Sequence, residues 1–183
     1  MTFDEIWGRV QLNIQMTLEE AKELYSCSET LLESSILVEI GTWKGASACI
    51  MGAARIGKKS KIYTIDNFRT DIFPEGRTNE EETFQYLVNS GIENLTLITG
   101  TSKDVSNVWK DTINLLFIDG DHAYSGIKAD VKNWLPRVEK NGLVIFHDYD
   151  SHEEVTMVIH RAIEDKLITP FKKVGSLLVT MKS

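Results

Sequence analysis

Two stretches of this 183-residue chain hold most of the side chains that could do chemistry. Phe117-Ile118-Asp119-Gly120-Asp121-His122-Ala123-Tyr124 and Phe146-His147-Asp148-Tyr149-Asp150 each follow an apolar run. If those runs are neighbouring strands, Asp119, Asp121, His122, His147 and Asp148 enter one volume. Carboxylates packed together repel one another unless a cation sits among them. Oxygen donors with an imidazole suit Mg2+, Mn2+ or Fe2+ better than a closed zinc site.

A second group follows other apolar runs. In Glu39-Ile40-Gly41-Thr42-Trp43-Lys44-Gly45-Ala46-Ser47, Gly41 permits a tight strand-to-helix turn and Gly45 permits close approach at the helix start. The spacing is G-x-x-x-G. It is neither the G-x-G-x-x-G of dinucleotide binders nor a P-loop, so a pyrophosphate ligand is disfavoured. Glu39, ending an apolar run, suits a cationic ligand group. Asp66 ends the next run, where an acid can accept hydrogen bonds from ribose hydroxyls. Gly100 allows backbone approach after a third run. Ser102 is placed either to cap a helix or to meet an adenine edge.

The elements that must position these residues alternate. Apolar β-branched runs occur at 36–40, 61–65, 95–99, 113–118 and 143–146. Continuous rather than alternating apolarity marks strands covered on both faces, and intervening helices make right-handed βαβ units. Residues 46–56 are small and apolar nearly all round, with Gly57 as a stop. Phe84, Leu87 and Val88 form a stripe behind a Thr78/Glu81 capping box. Ile127, Val131 and Leu135 form another, with Ser125 as cap and Pro136 near its end. Val155, Ile159, Ala162 and Ile163 form a third behind a Ser151/Glu154 box. Residues 171–181 read as two strands around Gly175-Ser176. The expected fold is a doubly wound three-layer α/β sandwich, a mostly parallel seven-stranded sheet with an antiparallel C-terminal strand. Residues 35–183 form its Rossmann-like domain. Residues 1–34, with a Thr17/Glu20 capping box before Leu18, Ala21, Leu24 and Tyr25, form a helical lid or oligomer surface.

Composition sets the outer bounds. The chain is 42% hydrophobic and 26% charged, which suits one globular domain and excludes wholesale disorder. No apolar run approaches the ~18 residues of a membrane span. With 20 basic and 27 acidic residues the net charge is −7, which opposes nucleic-acid binding. Cys27 and Cys49 do not form a disulfide framework. With no basic leader in MTFDEIW, a cytoplasmic location is expected. His152 and His160 read as solvated, Trp109 and Trp134 as packing residues, and 58–61 as an exposed turn. Glu80 to Glu82 suit the first turn of a helix.

The ordered set of Glu39-x-Gly41-x-x-x-Gly45-x-Ser47, Asp66, Gly100-Thr101-Ser102, Asp119 and His147-Asp148 resembles class I S-adenosylmethionine-dependent methyltransferases. It is most similar to catechol-type and macrocin-type small-molecule O-methyltransferases, over about residues 36–150. The resemblance implies methyl transfer to a hydroxyl of a small molecule. Glu39, Gly41 and Ser47 would line the methionine end, with Trp43 beside it, Asp66 on the ribose and Ser102 near the adenine. Asp119, His147 and Asp148 would ligate a divalent cation, Mg2+ first and Mn2+ or Fe2+ as alternatives. The family usually has an acid where this chain has His147. His122 falls where catechol-type enzymes place a lysine base and is the first choice for general base, with Asp121 second. Substrate would enter beside Asp119, shaped by residues 1–34 and by 67–79, where Phe68, Arg69, Phe73, Pro74 and Arg77 lie. A homodimer is compatible with this reading. Two rivals share the fold: a metal-dependent hydroxylase-like enzyme and a non-catalytic scaffold.

Overall fold

The computed structural model describes residues 1–68 and 79–183. Helices α1 (Phe3–Val10) and α2 (Leu18–Glu29) precede strand β1 (Ile36–Ile40). Then follow α3 (Ala46–Ala53), β2 (Lys61–Asp66), α4 (Glu80–Asn89), β3 (Leu95–Thr99), α5 (Ser102–Val108) and β4 (Ile113–Ile118). The chain ends with α6 (Tyr124–Trp134), β5 (Val138–Phe146), α7 (Glu153–Glu164), β6 (Ile168–Val174) and β7 (Leu177–Lys182). The seven-stranded sheet has the order β3-β2-β1-β4-β5-β7-β6. Strands β1 to β5 pair in parallel, and β7 runs antiparallel between β5 and β6.

Strand periodicity builds the three layers. Alternate residues point to opposite faces. Leu37, Leu115, Phe117, Ile145 and Val179 therefore join one apolar cluster, with residues of α1 to α4. Val38, Leu116, Ile118, Val144 and Phe146 join a second, with residues of α6 and α7. Every residue of α3 is buried, which accounts for its apolarity all round: α1 and α2 pack on its outer side. The two N-terminal helices contribute Ile6, Val10, Ala21 and Leu24 to the first cluster, each fully shielded or nearly so. Thr17 and Glu20 form the expected capping box.

Several local expectations are corrected. Helix α3 ends three residues before Ile56, and the 143–146 strand begins at Val138. Asn79 caps α4 by accepting from the Glu81 N–H; Thr78 lies outside the described residues. Leu87 is buried, but Phe84 and Val88 are exposed, because the helix turns Thr83 and Leu87 inward instead. Ser125 lies inside α6; the Asp121 carboxylate accepts from the Ala123 N–H ahead of it. Helix α7 starts after His152 with no side-chain cap, and Ser151 donates to Asp148 instead. At Ser151 the nearby Asp148 carboxylate takes the hydroxyl that was expected to cap the helix.

Candidate active site

The order of strands reverses between β1 and β4, and in open α/β sheets that crevice at the carboxyl ends is where ligands bind. A cavity of about 420 Å³ lies there, lined from Asp66 and Ser102 on one side to His122, His147 and Asp148 on the other. That volume falls within the usual range for small-molecule sites. Asn13 to Met16, the link between α1 and α2, also line it, so the N-terminal segment forms part of its wall.

At the β1–β2 end the backbone is shaped by a carboxylate. Asp66 Oδ2 accepts from Thr42 N (2.9 Å) and Trp43 N (3.0 Å), and Oδ1 accepts from Phe68 N (2.8 Å). Trp43 and Phe68 both have positive φ, 46° and 49°, an unfavourable conformation for non-glycine residues. Gly41 has φ 92°, and a Cβ there would stand 2.1 Å from the Asp119 carbonyl oxygen, so only glycine lets β1 approach the end of β4. An ionised carboxylate has about four acceptor positions. Among the described residues, three backbone N–H donors occupy Asp66.

Glu39 departs from expectation, and Ser102 departs only from its capping alternative. Glu39 does not line the cavity: it lies fully buried beneath the glycine turn, because its strand position points it into the helix layer. Its Oε2 accepts from the Thr64 hydroxyl and its Oε1 has no hydrogen-bond partner. Burial pushes its pKa up to about 8, against the opposing influence of Ser47 and Thr64. Ser47 itself faces the cavity. Ser102 is the first residue of α5 and not its cap. Thr101 caps the helix, while the Ser102 hydroxyl donates to Asp130 and accepts from Trp134 Nε1 (2.8 Å). Asp130, not anticipated as a site residue, also lines the cavity. Burial raises its carboxyl to about 6.

The β4–β5 end gathers the other group. His147 Nδ1 lies 3.3 Å from Asp119 Oδ1 and 3.1 Å from Asp148 Oδ2. Burial alone would lower the His147 pKa, but the Asp119 and Asp148 carboxylates outweigh it and raise the ring to about 10. Asp148 is raised by burial but held well below the usual carboxylate range by His122 and His147. His122 Nε2 stands 2.9 Å from Asp148 Oδ2, and that contact raises its pKa. His152 is exposed, as expected, but its ring stacks on His122 at 4.2 Å between centroids. Asp121 is exposed and turned toward the start of α6, where a Cβ on Gly126 would strike its carboxylate.

The donor spacing fits a cation. On metal–ligand bonds of about 2.1 Å at right angles, neighbouring donors stand about 3 Å apart, close to the two distances at His147 Nδ1. Donor atoms of Asp119, His147 and Asp148 all lie within 4.8 Å of one another, and so do those of His122, Asp148 and His152. Asp148 has φ 59°, so its position is also conformationally costly, a mark of functional sites.

Besides Asp130, sequence reading missed Glu20. It is 3% exposed, and its Oε2 lies 3.9 Å from His147 Nε2. Thr17-x-x-Glu20 was legible as a helix start; nothing local shows that the same carboxylate reaches the far hairpin.

Comparisons with known proteins bear on the fold and on the family. An uncharacterized protein, y4gI, of Sinorhizobium fredii is 27% identical over 122 residues, 64% of this chain but 13% of that protein, so this chain spans a small part of the relative's length. Among solved structures, the O-methyltransferase NovP superposes with a TM-score of 0.80 at 19% identity, covering 93% of this chain and 82% of that one. The SAH-bound methyltransferase PaMTH1 of Podospora anserina gives 0.74 at 14% identity, covering 98% and 86%. Residues 38–149, from the middle of β1 through the β5 rim, match the family described as Methyltransferase domain, and the chain belongs to that family.

Proposed function

We propose that this protein transfers the methyl group of S-adenosylmethionine to a hydroxyl of a small molecule, assisted by a divalent cation. The observation that carries the reading is one cavity that joins the Asp66-held glycine turn to the Asp119–His147–Asp148 group. When bound, the sulfonium supplies an already activated methyl, and the cation lowers the pKa of the acceptor hydroxyl. The chain's own work is alignment. Asp66 offers a carboxylate oxygen to a ribose hydroxyl. Ser47 and Trp43 face the cavity near the same turn, and Asp130 and Ser102, which also line it, would meet the adenine edge. Asp119, His147 and Asp148 would hold the cation.

His122 is the general base in this reading. The Asp148 carboxylate beside its Nε2 stabilises the imidazolium that forms when the ring takes the acceptor's proton. Asp121 is the weaker choice, since its carboxylate already accepts from the Ala123 N–H (2.9 Å). His122→Ala is expected to lower kcat by about 10²–10⁴-fold, the usual contribution of a positioned base, with cofactor affinity retained.

The direct test needs no acceptor. S-adenosylhomocysteine and Mn2+ are each titrated against the purified protein, with calorimetry and melting point as readouts. A ligand that binds only the native state raises the melting point. Binding of the nucleoside supports a methyltransferase. Absence of nucleoside binding sinks the reading and favours a scaffold. A second reading, iron-dependent oxidation, draws on His122, His152 and Asp148, a two-imidazole, one-carboxylate set of the kind that holds non-haem Fe2+. Preferential Fe2+ binding that is lost in His152→Ala would favour it.

A further inference from the structure

We propose that Glu20 and Ser176 form a relay that orients His147 toward the cation, making helix α2 and the β6–β7 turn part of the metal site. The inference rests on the cation reading above. Glu20 is held by four hydrogen bonds. Oε2 accepts from Thr17 N (2.7 Å) and Thr17 Oγ1 (2.9 Å), and Oε1 accepts from Ser176 N (2.6 Å) and Ser176 Oγ (2.8 Å). The Ser176 hydroxyl proton is therefore committed to Glu20. The same Ser176 oxygen lies 3.4 Å from His147 Nε2, and with its proton spent it meets the ring as an acceptor. Nε2 must then carry a proton. In the neutral ring that leaves the lone pair on Nδ1, which faces Asp119 Oδ1 and Asp148 Oδ2. A lone pair aimed between two carboxylates is a donor set for a positive ion.

The turn is built to allow this approach. Gly175 has φ 56°, and a Cβ there would stand 2.4 Å from Glu20 Oε1. A metal-bound histidine whose other nitrogen donates to a hydroxyl or carboxylate is fixed in tautomer and ring orientation, and loss of such a partner costs about 10–100-fold in metal affinity. Glu20 and Ser176 are positioning residues: neither reaches the cation, and both act through His147.

The test measures Mn2+ affinity by titration in wild type, Ser176→Ala, Ser176→Thr and Glu20→Gln, with S-adenosylhomocysteine affinity measured on the same samples. Ser176→Ala removes the hydroxyl but keeps the backbone bond to Glu20, so the turn survives. The expected result is a loss of about 10–100-fold in Mn2+ affinity for Ser176→Ala and Glu20→Gln. Nucleoside affinity stays unchanged, and Ser176→Thr restores Mn2+ binding. Wild-type Mn2+ affinity in Ser176→Ala overturns the relay. An equal loss of both ligands also overturns it, because general loosening explains that pattern. If wild type binds no Mn2+, the cation reading has failed and the relay loses its metal role with it; the Ser176–His147 hydrogen bond is then decided separately by NMR. A slowly exchanging His147 Hε2 signal that disappears in Ser176→Ala upholds it, and an unchanged signal ends it.

Discussion

The two ends of the cavity answer negative charge differently. At the β1–β2 end, Asp66 is met by backbone N–H groups of Thr42, Trp43 and Phe68, which are permanent dipoles. At the β4–β5 end, Asp119 and Asp148 are met by the imidazoles of His147 and His122. An imidazole's proton can leave. On the proposed reading the first end is preformed for the nucleoside, while the second would exchange protons for a cation, since a metal binds the deprotonated ring and releases the proton. Asymmetry of this kind suits a reaction in which the donor is bound rigidly and the acceptor is activated.

The sharpest way to break that contrast is to remove a carboxylate from the exchangeable end. Asp148→Ala should lower Mn2+ affinity by about 10³-fold, beyond the 10–100-fold expected for a residue one shell further out. That corresponds to ~4 kcal/mol. Nucleoside affinity should stay within a few-fold of wild type, because Asp66 and its turn are untouched. Asp119→Ala should behave alike. Parallel titrations of Mn2+ and S-adenosylhomocysteine check both; equal loss of the two ligands would erase the distinction between the ends.

Much of this arrangement was legible in the chain. Five continuous apolar runs fixed the parallel sheet, because strands covered on both faces leave no polar alternation, and Gly175-Ser176 marked the final hairpin. The strand-end rule then pointed to Asp66, Asp119, His147 and Asp148, all of which line the cavity. What stayed hidden depends on long-range partners. Arg55 is fully buried and donates to the carbonyls of Ser28, Glu29 and Leu31 at the end of α2, a C-cap made from a residue on the far side of α3. Glu20 reaches Ser176 across 156 positions. Ser102 looked like a cap, but the buried Asp130 claims its hydroxyl. The segment 69–78, expected to shape the acceptor side, lies outside the described residues.

Glu39 is the exception at the preformed end, an acid with one oxygen unanswered. Its folded pKa of about 8 lies above the ordinary 4.5. The native state therefore keeps a proton that the unfolded chain releases. Stability from this group is fully present below about pH 4.5 and is lost as pH rises to about 8. Glu39→Gln cannot release that proton. The stability difference, variant minus wild type, should grow by about 3 kcal/mol between pH 5 and 8 and level off above. Urea unfolding across that range measures it. A difference that stays flat with pH would mean the carboxylate is answered after all.

Asp66→Asn tests the preformed end itself and has the smallest expected effect. The side chain keeps its shape, but an amide offers one acceptor oxygen where the carboxylate offers two. Three backbone donors converge on Asp66, so at least one must face an NH2 group instead. Leaving such a donor unmet costs about 2 kcal/mol. Trp43 and Phe68 sit at positive φ, and their amides are two of the three donors, so the turn has an incentive to relax once its anchor weakens. Stability should fall by about that amount, and nucleoside affinity by about tenfold, while Mn2+ affinity holds. That is the mirror image of Asp148→Ala. If Asp66→Asn weakened Mn2+ binding as much as nucleoside binding, the two ends would be one cooperative unit, and the contrast between fixed dipoles and exchangeable protons would not describe this cavity.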